Sequence, residues 1–146
     1  MAGWAACAVL AALLPASAAS AAGANPTHYG DPKGGCMDGE VIVKVPEVPG
    51  YFCGPPCSGS DSSCPSDVPA GATAKPACAL KAPAGNQYCA LVCHPSAQSA
   101  NGANGECGTG SCQSFEGSGF CTYPMSAAQG VNVTVILRSK EEMVAV

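Results

Sequence analysis

The chain predicts a small disulfide-rich fold of β-hairpins and loops, arranged as about two and a half tandem cysteine-stapled units with little or no helix once its leader is removed. Three observations predict it. The 146 residues include 11 Cys; 18 Gly and 13 Pro punctuate the sequence; and much of the 47% hydrophobic content is alanine and cysteine, so large apolar side chains are scarce. A core that thin rarely supplies more than about 3–5 kcal/mol in a small domain, so covalent cross-links are expected to supplement it. Charged residues make up only 11% and the net charge is -4, which excludes a basic nucleic-acid binder and a cationic membrane-lytic peptide.

The N-terminus has the layout of a secretory signal peptide. Trp4 to Leu14 is apolar, followed by Pro15 and a run of small residues to Ala24. That apolar stretch is about 11 residues, inside the usual signal-core range and well short of the roughly 20 a spanning helix needs. Cleavage is expected after Ala18 or Ala21, so 1–21 is assigned as the leader and 22–35 as a flexible N-terminal segment. No later apolar stretch is long enough to span a bilayer, and export to the extracellular space follows.

Removing the leader removes Cys7 and leaves an even set of ten: Cys36, Cys53, Cys57, Cys64, Cys78, Cys89, Cys93, Cys107, Cys112 and Cys121. Even parity and an export signal together predict five disulfides. Structural zinc is the competing use of so many cysteines. The spacings Cys53-x3-Cys57 and Cys89-x3-Cys93 are wider than the usual C-x2-C knuckle, and an oxidising compartment would not keep the thiolates free. No metal or cofactor is expected.

The cysteines repeat with their surroundings. Three times the chain runs from Cys through a Gly-containing stretch to an aromatic residue directly followed by Cys: Cys36 to Phe52-Cys53, Cys78 to Tyr88-Cys89, and Cys112 to Phe120-Cys121. The first two copies continue through x3-Cys to a polar loop and one further cysteine, whereas the third stops. The disulfide-rich domain is therefore 36–121, with units 36–77, 78–111 and 112–121.

Each stretch inside a unit reads as a hairpin. Turns are expected at Pro46 to Gly50, at Ala82-Pro83-Ala84-Gly85 and at Glu116-Gly117. Val41, Val43 and Val45 alternate as one face of a strand. An even number of residues separates Cys78 from Cys89 and Cys112 from Cys121, which places each pair directly opposite on one side of its hairpin. Closure of each hairpin by its own two cysteines is the simplest expectation from that register. The turn of the first unit is off-centre, and direct bonding of Cys36 to Cys53 does not follow.

Residues 122–146 form a C-terminal strand and tail. Val131, Val133, Val135 and Leu137 alternate with Asn132, Thr134, Ile136 and Arg138. Asn132-Val133-Thr134 is a glycosylation sequon, and Pro26 disqualifies the similar triplet at Asn25.

Candidate binding residues are the aromatics beside the cysteines: Tyr51, Phe52, Tyr88 and Phe120. They have two readings. As binding groups, the rings stack on a sugar or a partner chain; as packing groups, each covers a disulfide and supplies scarce apolar area. Recurrence at the same place in every unit favours packing. Catalytic constellations are wanting: Asp61, Asp67, Glu106 and Glu116 fall in polar loops without paired spacing, His94 follows Cys93, and His28 lies in the segment after the leader, so two histidines alone do not compose a catalytic set.

Two function classes follow. The first is a secreted binding protein without catalytic activity, presenting loops on a disulfide frame to an extracellular protein or glycan. The second is a protease inhibitor presenting the Pro-bounded loop between Cys64 and Cys78. The run Cys53-x3-Cys57-x6-Cys64-Pro65 resembles whey-acidic-type inhibitors, but the adjacent cysteine pair of those domains is missing and the other spacings diverge. Membership is not assigned.

Overall fold

The computed structural model describes residues 25–95, 105–124 and 130–136. The leader with Cys7, and the tail from Leu137 onward, lie outside the described residues. Eight strands follow one 3-10 turn at Pro32–Gly34: β1 Val41–Lys44, β2 Phe52–Gly54, β3 Lys75–Lys81, β4 Gln87–Cys93, β5 Ser111–Phe115, β6 Ser118–Thr122, β7 Val131–Asn132 and β8 Thr134–Val135. The protein is a small disulfide-rich fold of β-hairpins, and no α-helix occurs among the described residues.

The turn chemistry explains the hairpins. Phe115 pairs with Ser118, leaving Glu116 and Gly117 as the two turn residues, both with positive φ (43° and 87°). That is the type I′ geometry whose twist matches the flanking strands, and glycine meets it without a Cβ penalty. In the β3–β4 hairpin, Lys81 pairs with Gln87 around an odd-numbered turn, and a bulge between Cys78 and Leu80 restores Cys78 to a place opposite Cys89. In the first hairpin, Val43 pairs with Phe52 across the Pro46–Gly50 turn.

The strands form two sheets, one ordered β2-β1-β7 and one ordered β5-β6-β4-β3-β8. Strand β4 divides the interior. Successive side chains of a strand point to opposite faces, so Tyr88 and Ala90 enter an aliphatic and aromatic core with Val43, Val45, Val48, Phe52, Leu80, Phe120, Tyr123 and Val133. Cys89, Leu91 and Cys93 enter a second core made mainly of cystines, joined by Tyr29. In β3 the bulge turns both Ala79 and Leu80 toward the first core while Cys78 faces the second.

Among the described residues there are five disulfides: Cys36–Cys53, Cys57–Cys78, Cys64–Cys89, Cys93–Cys112 and Cys107–Cys121. The register expected from the even spacing holds, since Cys78 lies opposite Cys89 and Cys112 opposite Cys121. The expected bonds within those hairpins do not form, which corrects that reading. Both cysteines of each pair project from one face toward the segment that precedes the hairpin, and there they meet two cysteines of that segment. Cys57 and Cys64 bond Cys78 and Cys89, and Cys93 and Cys107 bond Cys112 and Cys121, in the same order. The bond the sequence left open, Cys36–Cys53, does form, with Cα atoms 5.4 Å apart. A turn in which the amide of Glu40 donates to the Met37 carbonyl helps bring the segment before β1 back toward Cys53.

Backbone pairing also links the three hairpins in a ring. Pro56 bridges Tyr88, Val92 pairs with Phe120, and Tyr123 bridges Tyr51. The stretch after Cys53 thus lies along the second hairpin, the end of β4 along the third, and the stretch after Cys121 returns to the first.

Candidate functional site

The loop between Cys64 and Cys78 is anchored at both ends by disulfides: Cys64 to Cys89 in β4, and Cys78, itself in β3, to Cys57. Further contacts fix its flanks. On one side the Tyr29 hydroxyl donates to the Pro65 carbonyl at 2.7 Å, and the Asp67 carboxylate accepts from the backbone amide of His28 at 3.1 Å. The His28 Nδ1 sits 2.7 Å from the same carboxylate. On the other side the Glu106 carbonyl accepts from the amides of Thr73 and Ala74 at 2.8 and 2.9 Å. Glu106 in turn accepts from the amide of His94 at 2.7 Å, with its other oxygen 3.2 Å from His94 Nδ1.

Between these anchors the chain turns back on itself. The Ala72 amide donates to the Pro69 carbonyl, and Gly71 has φ 79°, the pattern of a type II turn. Ser66, Asp67, Ala70, Gly71 and Thr73 are exposed, as are Gly108 and Thr109 of the neighbouring loop. The exposed residues at its tip are small, and one histidine–carboxylate contact lies at each end.

The electrostatics follow from these hydrogen bonds. The backbone amide of His28 is the main influence holding the Asp67 carboxyl below the usual range, with further help from the imidazole. Burial pushes the Tyr29 phenol well above its ordinary value, and the nearby carboxylates of Asp67 and Glu40 add to the shift. It therefore stays protonated and able to donate. Tyr29 also donates its backbone amide to Glu40 at 3.0 Å.

This corner includes residues that the sequence reading placed in a flexible segment. Asn25 donates from its side chain to the carbonyls of Asp31 and Gly35, and Gly30 accepts from the Cys53 amide. Tyr29 is 1% exposed. Nothing in the local sequence announces that anchoring, because its partners Pro65 and Glu40 lie at other places in the chain.

The aromatic candidates separate. Phe52, Tyr88 and Phe120 are buried in the first core, so their rings offer no face for stacking, which corrects their reading as binding residues. Nor do Tyr88 and Phe120 cover the disulfide of the next residue, because the pleat sends ring and sulfur to opposite faces. Tyr51 is half-exposed, and the Lys44 ammonium lies 5.1 Å from its ring centre. Asn132 is exposed in β7 and Thr134 in β8, with Val133 buried between them.

Among the described residues, three groups of side chains have metal-ligand proximity: Cys57, Cys64 and Cys89; Cys93, Cys107 and Cys121; and Cys36, Glu40 and Cys53. All of these sulfurs are in disulfides and have no thiolate to offer. Comparison with known proteins finds no family model that matches the chain, no similar curated protein and no similar solved structure.

Proposed function

We propose that the protein is a secreted, extracellular binding protein without catalytic activity, made of tandem cysteine-stapled units, and that it contacts its protein or glycan partner through the loop between Cys64 and Cys78. The observation that carries this reading is the anchoring of that loop. Two disulfides and two flanking hydrogen-bond sets hold it, while Ser66, Ala70, Gly71 and Thr73 remain exposed. A loop ordered before binding loses less conformational freedom on association, the usual advantage of a rigid scaffold. The leader pattern and the five disulfides support export. Exposure of Asn132 and Thr134 supports glycan attachment at that sequon in a secretory host.

The turn at Pro69–Ala72 weighs against the inhibitor alternative, because a protease cleft takes a substrate-like segment in extended form. Expression from the native leader in a secretory host, with mass analysis of the medium, tests export, the site of cleavage and Asn132 occupancy. The secreted protein is then titrated against panels of extracellular proteins, glycans and serine and cysteine proteases. Binding that is lost in Ala70→Arg and kept in Lys81→Ala, on a remote exposed strand end, supports the assignment. Saturable protease inhibition replaces it with the inhibitor reading, and binding indifferent to Ala70→Arg moves the contact face elsewhere.

A further inference from the structure

The three hairpins meet at three junctions, and the junctions are not equivalent. Between the segment that follows the first hairpin and the second hairpin, Pro56 bridges Tyr88, the Cys57 amide donates to Gln87 and the Cys89 amide to Pro55, and Cys57–Cys78 and Cys64–Cys89 cross that boundary. Between the second and third, Val92 and Cys93 pair with Phe120 and Gly119, and Cys93–Cys112 and Cys107–Cys121 cross. Between the third and first, the Tyr51 and Tyr123 amides donate to each other's carbonyls at 2.9 and 2.7 Å, the Thr122 hydroxyl donates to the Pro49 carbonyl at 2.8 Å, and no disulfide crosses.

The fifth disulfide, Cys36–Cys53, lies within the first hairpin. That bond holds the hairpin's own ends together and ties it to nothing else. Among the described residues, the hairpin from residue 36 to residue 53 has no cross-link to the rest of the molecule and meets it through non-covalent contacts: the Tyr51–Tyr123 bridge, the Thr122 hydroxyl, pairing of Val43 with Val131, the Glu40 contact to Tyr29 and the Cys53 amide to Gly30 among them. The chain leaves it at Gly54 and is covalently fixed again at Cys57.

We propose that the first hairpin, β1 and β2 closed by Cys36–Cys53, is a flap that opens as a unit from a body whose remaining two hairpins are locked together by disulfides. Proteins open in cooperative parts whose free energies range from near zero to the global value. A disulfide forbids separation of the parts it joins, and none joins residues 36–53 to the body, so opening is confined to that hairpin. In opening, the flap withdraws Val43, Val48 and Phe52 from the core they share with Leu80, Phe120 and Tyr123. Apolar surface covered on both sides in the closed form then meets solvent.

The closed junction depends on Gly50. It has φ 88°, and a Cβ there would lie 2.6 Å from Thr122 Oγ1 and 2.8 Å from the Tyr123 carbonyl oxygen. Gly50→Ala therefore loosens this junction while touching neither of the stapled ones. Native-state hydrogen exchange on the intact, oxidised protein reads the opening amide by amide. In the wild type, the Tyr51 and Tyr123 amides are expected to exchange at least tenfold faster than those of Cys57 and Cys89, by an opening that shares one denaturant dependence smaller than that of global unfolding. Thr122→Val, which removes the hydroxyl bond, and Gly50→Ala are both expected to speed exchange at Tyr51 and Tyr123 and leave Cys57 and Cys89 unchanged. Equal protection at all three junctions, or acceleration of all four amides together in Thr122→Val, overturns the flap. The wild-type comparison stands by itself if Gly50→Ala does not fold.

Discussion

Asp67 sits on an exposed loop, yet its carboxylate accepts the His28 amide and lies against the imidazole, and these contacts hold its pKa below the ordinary carboxylate value. A group whose folded pKa is depressed stabilises the fold above its unfolded pKa, and that contribution disappears as pH falls through the folded value. The difference in unfolding midpoint between wild type and Asp67→Asn is therefore expected to shrink as pH falls below about 5 and the carboxylate takes up its proton. A difference that persists undiminished through that acid range contradicts the assignment. Salt is expected to reduce it as well, since the pair is solvent-accessible. Tyr29 belongs to the opposite regime: its ring is enclosed and its hydroxyl has one partner, the Pro65 carbonyl. Tyr29→Phe keeps the packing and leaves that carbonyl short of a donor, so a loss of about 1 kcal/mol in denaturant unfolding is expected. Tyr29→Ala empties the site and is expected to cost about 3–5 kcal/mol, in the range of large aromatic truncations.

At the scale of elements, the C-terminal strands act as a clip across the two sheets. Strand β7 runs parallel to β1 in one sheet and β8 antiparallel to β3 in the other, with Val133 buried where the chain passes between them. Val133→Ala removes apolar volume from the shared core and is expected to cost about 2 kcal/mol, measured as a shift in the denaturant midpoint at unchanged slope. A change below a few tenths would show that the clip is not integral to the core. The alternation that predicted this strand was legible, but its break at Val133 was not, because it depends on the positions of two sheets. The same division runs through the hairpins. Turns at Glu116-Gly117 and Pro46–Gly50 are written in adjacent residues and were read directly. The cysteine partners are not legible, because the even spacing fixes which residues face each other, while bonding depends on which other sulfurs arrive at that face. The bulge at Ala79 and the burial of Tyr29 were hidden for the same reason: each is decided by contacts distant in sequence.

For the whole molecule, the question is what the aliphatic core contributes without its cross-links. Its buried members are mostly Val, Ala and a few rings, and the second core consists largely of the cystines themselves. The cross-links enclose sequence separations of 14 to 25 residues, for which the chain-entropy account gives about 3 kcal/mol each. Several such contributions are comparable with the 5–15 kcal/mol that is the usual net stability of a native domain. Reduction also dissolves the second core, because free thiols no longer hold the loops that surround them. The fully reduced chain is therefore expected to lose its near-ultraviolet circular dichroism and amide dispersion in neutral buffer without denaturant, and to show no cooperative thermal transition. A reduced chain that still unfolds cooperatively would mean that the Val43, Leu80 and Phe120 core is sufficient alone. Selective replacement of Cys36 and Cys53 by alanine gives the complementary result. The other four disulfides still join the second hairpin to the segment before it and to the third hairpin, so that variant is expected to remain folded, with exchange accelerated first in β1 and β2.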